Sequence, residues 1–128
     1  MSSVGSLSPE LRQFIARHIQ SVEQVEILCL LSSAPGRTWT VPEVFRQIQS
    51  SERSVAETLT GFVKLELVTL ELESRYRYAP KTEELAQAAA ALVAAYRERR
   101  VAVIEAIYTR PTEPLQNFAE AFRLRKEK

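Results

Sequence analysis

The chain has 128 residues, enough for one hydrophobic core but too few for two enzyme-sized domains. Its 45% hydrophobic and 26% charged residues with a net charge of +1 are ordinary globular values, which excludes disorder over most of the chain. No apolar run approaches the roughly 18 residues that span a bilayer, and Met-Ser-Ser-Val-Gly-Ser at the N-terminus lacks the basic and apolar parts of a secretory leader, so a cytoplasmic protein without membrane contact is expected.

Residues 1 to 7 read as a frayed tail, after which Ser8 caps a helix with Pro9 at its first position that runs to about Ile19. Ser21 and Gln24 have capping-box spacing, and Val22, Val25, Leu28, Cys29 and Leu31 give a second helix over about 22 to 32 an apolar face. Ala34-Pro35-Gly36 breaks the chain, and Thr38-Trp39-Thr40 has the propensity of one short strand. Thr40 and Glu43 repeat the capping box around Pro42, opening a short third helix with Val44, Phe45 and Ile48 inward, ending near Gln49. Ser51 caps a fourth helix whose buried stripe is Val55, Leu59, Phe62 and Val63 and whose end falls between Leu65 and Leu67. Alternation from Val68 to Glu73 and from Tyr76 to Tyr78, with a turn at Ser74-Arg75, predicts a β-hairpin before Pro80.

From Thr82 to Pro111 there is neither Gly nor Pro, and the Ala-rich pattern predicts one helix over 82 to 109, about 40 Å long at 1.5 Å per residue. Leu85, Ala89, Leu92, Tyr96, Arg99, Val103 and Ala106 recur at alternating four- and three-residue steps, a coiled-coil-like seam interrupted by Arg99. A partner helix is therefore expected, with Leu85, Ala89, Leu92, Tyr96, Val103 and Ile107 at a homodimer interface. Beyond Pro111 and Pro114, Leu115, Phe118, Ala119 and Phe122 predict a short amphipathic helix ending in a basic tail.

The side-chain inventory excludes most catalysis. All 16 acidic residues are Glu, and His18, Asn117 and Cys29 are each the sole residue of their type. A nucleophilic triad or a zinc centre needs more His or Cys than this. The three glycines, Gly5, Gly36 and Gly61, are too scattered for a phosphate-binding loop. No catalytic residue, metal or cofactor is expected, and the lone Cys29 fits a reducing compartment. Cys29 itself reads as a small core hydrophobe and Trp39 and Tyr76 as packing groups, whereas Arg97, Arg99 and Arg100 read as solvated or paired with Glu98.

The order helix, helix, short strand, helix, helix, hairpin carries more information than any single residue. A short helix, a tight turn and a second amphipathic helix form a helix-turn-helix, and the hairpin after it forms a wing. Over residues 22 to 80 the sequence resembles winged helix-turn-helix transcriptional regulators, especially the dimeric bacterial MarR and PadR regulators. Val41-Pro-Glu-Val-Phe45 corresponds to the positioning helix, Ser54-Val-Ala-Glu-Thr-Leu59 to the recognition helix, and Leu67-Val-Thr-Leu70 with Arg75-Tyr-Arg-Tyr-Ala-Pro80 to the wing. Glu66-Leu67 stands where many members have a glycine.

The resemblance implies a mainly α fold with a small β-hairpin wing. Residues 1–80 would form the winged helix-turn-helix domain and 81–128 a C-terminal helical dimerisation segment. It implies a homodimer reading a pseudo-palindromic site in double-stranded DNA. Arg53, Ser54, Glu57 and Thr58 would face the bases, with Arg53 forking onto guanine, while Arg46, Arg75 and Arg77 would hold phosphates. Residues 37 to 80 hold six basic side chains and six glutamates, however, so this head is neutral, whereas DNA-binding domains are usually basic. A winged-helix protein-interaction module is the alternative.

Overall fold

The computed structural model describes residues 7–109 and is mainly helical with a small three-stranded antiparallel sheet. Its helices are α1 (Pro9–His18), α2 (Val22–Ser32), α3 (Val41–Gln47), α4 (Glu52–Lys64), α5 (Glu83–Glu98) and α6 (Arg100–Thr109). The strands are β1 (Thr38–Trp39), β2 (Val68–Glu71) and β3 (Arg75–Tyr78), with β3 in the centre and β1 and β2 at the edges. The expected helix around Leu115 to Phe122 and the basic tail lie outside the described residues.

Side-chain caps start five of the helices. Ser8, Ser21, Thr40, Ser51 and Thr82 each accept a hydrogen bond from the backbone N–H three residues on, which satisfies a donor that the helix itself leaves unpaired. At α3 the box is reciprocal: Glu43 Oε1 accepts from Thr40 N at 3.0 Å. At α2 the second half shifts by one residue, because Gln24 Oε1 accepts from Gln20 N at 2.7 Å.

The α4–β2 turn is made without a glycine. Glu66 takes φ 71°, in the left-handed region, while Leu67 N donates to Phe62 O and Glu66 N to Val63 O, both at 3.0 Å. This is a Schellman C-cap built on a glutamate, with Phe62 and Leu67 buried beside it. The hairpin reversal is Leu72–Ser74, one step earlier than the expected Ser74-Arg75, and Glu73 and Ser74 both have positive φ. Val68, Leu70 and Leu72 alternate as expected, yet only Val68 reaches the core. Leu70 is 55% and Leu72 87% exposed.

Two expectations are corrected. Leu7, placed in the frayed tail, is buried against the core. The single helix over 82 to 109 is instead broken at Arg99 (φ −135°, ψ 60°), and α6 packs against α1. Consequently the expected dimer seam is occupied within the chain: Ala89, Leu92, Tyr96, Val103 and Ile107 are buried and Leu85 half-buried, in the same cluster as Ile15, Ile27, Leu31 and Leu59. Burying Val103 and Ile107 is worth about 1.5–3 kcal/mol each. The segments on either side of position 80 share one core.

Candidate nucleic-acid interface

The four expected base-facing residues lie on α4, in its first two turns, but they do not share a face. Val55, Leu59 and Phe62 are buried as expected. Thr58 stands one turn before Phe62 on the same side and is itself only 6% exposed, so it faces the core and not a ligand. Ser54 also turns inward: its hydroxyl donates to Glu23 Oε1 at 2.8 Å and ties α4 to α2. That leaves Arg53 and Glu57, whose side chains are 90% and 71% exposed. They form a one-turn pair at 3.5 Å, worth about 0.3–0.5 kcal/mol at such exposure, weak enough for a ligand to displace. Thr60 and Lys64 continue the exposed side of α4.

The hairpin arginines are more deeply committed. Arg75, expected on phosphate, donates through Nε to Thr38 Oγ1 at 2.8 Å and through Nη2 to Thr38 O at 3.4 Å and Glu43 Oε1 at 3.3 Å. One guanidinium thus fastens β3 to β1 and to the start of α3, using donors a phosphate would need. The Thr40 N–H held by Glu43 keeps that carboxyl below its ordinary range, with Arg75 adding to the effect. Arg77 Nε meets Glu71 Oε2 at 2.6 Å across the β2–β3 hairpin, with side-chain exposures of 40% and 36%. Arg46 is exposed near the end of α3. The expected set therefore divides: Arg46, Arg53 and Glu57 point outward, Arg77 is half-exposed and paired, and Ser54, Thr58 and Arg75 hold the fold together.

Glu23, Thr38 and Glu43 are structural partners that sequence reasoning missed. Only Glu43 had a visible signal, its capping-box spacing from Thr40, and that spacing carries no trace of its second role toward Arg75 thirty-two residues away. Beside α4 lies a shallow open depression, with Arg17 and His18 at the end of α1 and Glu57 and Gly61 across from them. Partial burial, helped by Arg17, lowers the pKa of His18, whose ring lies 5.1 Å from that of Phe14. Trp39 is buried, with the Arg37 guanidinium 3.7 Å above its ring centre, so its role is packing. Cys29 is half-buried, and burial raises its thiol pKa, which keeps it in the unreactive protonated form.

Among the described residues no group of three His, Cys, Asp or Glu side chains could hold a metal ion. No described helix is long and apolar enough to cross a membrane. No protein-family model matches the chain, and no curated protein or solved structure is significantly similar to it.

Proposed function

We propose that this chain is a winged helix-turn-helix DNA-binding regulator. In this reading α4 enters the major groove, the β2–β3 hairpin lies along the neighbouring backbone, and two copies address a pseudo-palindromic site in the cytoplasm. One observation carries it. Arg53 stands 90% exposed in the first turn of a helix that packs on α3 across a short turn and is followed at once by an antiparallel hairpin.

Exchanging Glu57 for a guanine edge gives the Arg53 guanidinium two parallel hydrogen bonds, and the freed Glu57 carboxylate then accepts from a neighbouring cytosine amine. Arg46, Lys64 and, on leaving Glu71, Arg77 supply phosphate contacts. Their small number makes non-specific attraction weak, with a salt slope of about −3 per head. No catalytic group, metal or cofactor enters this function.

The hairpin favours a second reading. Leu70 and Leu72 are exposed while Arg75 and Arg77 are both paired within the chain, which suits a module that docks on another protein. Selection of genomic fragments by the purified protein at moderate salt, followed by sequencing, separates the two. Enrichment of a two-fold-symmetric motif that Arg53→Ala loses supports DNA reading. Weak, salt-sensitive binding without enrichment, insensitive to Arg53→Ala, overturns it in favour of the docking module.

A further inference from the structure

α4 carries a glycine for which the fold itself has no use. Gly61 stands in the interior of the helix, where glycine is less stable than alanine because ordering it removes more backbone freedom. The left-handed position that closes α4 is taken by Glu66, so Gly61 serves no cap, and a Cβ placed on it meets nothing within 4 Å, so no neighbour needs the room. Gly61 instead lines the depression between α4 and the end of α1.

The two sides of that depression carry opposite charges. Arg17 comes from α1 and Glu57 from α4, and the apolar lining is Phe62, which is buried, and Leu65, which is half-buried. Among the described residues Arg17 has no ion pair. His18 beside it is uncharged at neutral pH, because partial burial and the neighbouring Arg17 hold its pKa below 6.5, so Arg17 is the one cation in the lining. Glu57 meets Arg53 through Oε2 at 3.5 Å, which leaves Oε1 to accept from another donor. The space is about 160 Å³, below the roughly 300–1,000 Å³ of sites for drug-sized ligands, so it suits a molecule of a few heavy atoms and excludes a nucleotide.

We propose that this depression binds a free α-amino acid with a branched apolar side chain, its carboxylate on Arg17, its ammonium on Glu57 and its side chain against Gly61, Phe62 and Leu65. One cation and one anion in the same small space call for a ligand that carries both charges. A simple acid leaves Glu57 unanswered, and a simple amine leaves Arg17 unanswered while bringing it a like charge. Glycine at position 61 lets the ligand's side chain lie directly on the helix backbone. Because the depression is open and its charged groups stay hydrated, each ionic contact is weak and the affinity is of millimolar order. Under the proposed function a ligand on Glu57 loosens its hold on Arg53, a consequence that rests on that reading; the binding itself does not.

The test titrates the full chain, without DNA, with L-leucine up to tens of millimolar while its backbone amide NMR signals are followed. Saturable shifts at His18, Glu57 and Gly61 are expected. L-leucinamide, which lacks the carboxylate, and isocaproate, which lacks the ammonium, should each bind at least several-fold more weakly, as should free glycine, which lacks the side chain. Arg17→Ala and Glu57→Gln should each weaken leucine several-fold. Gly61→Leu should abolish binding by filling the space while leaving the thermal midpoint no lower, since leucine is the better helix former and its Cβ meets no neighbour. Absence of a saturable shift at these three residues would overturn the proposal. So would leucinamide or isocaproate binding as well as leucine, or a folded Gly61→Leu chain that binds leucine unchanged.

Discussion

Between α2 and β2 every change of direction has its own local device, whereas the break between α5 and α6 has none. Thr40 and Ser51 cap α3 and α4, Pro42 sits in the first turn of α3, and Glu66 closes α4 in a left-handed cap. At the α5–α6 boundary Arg99 stands alone, and α6 packs on α1 with Val103 and Ile107 buried. A fold held by local signals tolerates the loss of distant packing; one held by packing does not. The difference teaches where each half of the molecule is vulnerable.

The largest expected effect tests whether α5 belongs to the core or to a detachable arm. Leu92→Ala removes a fully buried side chain shared by both halves, and a loss of about 2–5 kcal/mol is expected in denaturant unfolding. An unchanged midpoint would show that the head folds without α5. Next is Arg75→Ala, which strands Thr38 and Glu43: a loss of about 2 kcal/mol in stability is expected at any salt, without DNA present. A phosphate contact would give the opposite pattern, intact stability and weaker DNA binding.

Arg53→Ala should move stability by less than about 0.5 kcal/mol, given its exposure. Under the proposed function it should cost about 1–2 kcal/mol of discrimination at one base position, read by competition between site variants. Smaller still is Glu66→Gly. Relief of the left-handed glutamate should raise stability by about 1 kcal/mol, against loss of an exposed ion pair with Lys81 that contributes little. A fall in the unfolding midpoint would mean that Lys81 matters more than the backbone.

An effect of the same size concerns the α2–α5 contact. Tyr96 donates to Glu26 Oε2 at 2.9 Å beneath the Arg100 guanidinium, and burial, aided by Glu26, pushes its pKa from 10 up to about 12. Because the fold holds the neutral phenol, this contribution is complete below pH 10 and fades as pH rises through about 12. Tyr96→Phe should cost about 1 kcal/mol at neutral pH and flatten the decline in stability across that alkaline window. A wild-type profile in the variant would assign the decline to other groups.

The residues that were legible are those whose structural reason lies within four positions. Ser21, Thr40 and Ser51 announce helices because a short oxygen side chain meets the N–H three residues later, and alternation announces β2 and β3 because neighbouring side chains leave a strand on opposite sides. Arg53 and Glu57 lie exposed on α4, where the apolar stripe of Val55, Leu59 and Phe62 leaves them no other side. The surroundings of Thr58, Ser54 and Arg75 are not legible, because their partners, the core beside Phe62, Glu23 and Thr38 with Glu43, come from remote elements. Spacing along one helix or strand carries no information about them.

The sequence by itself determined the kind and order of the elements from α1 to β3 and the apolar seam from Leu85 to Ile107. Only the tertiary structure decided what the seam packs against. A repeat of apolar residues specifies that a surface must be covered, since water penalises its exposure whatever lies opposite. It does not specify whether the cover comes from another molecule or, after a bend at Arg99, from the chain's own α1 and α2.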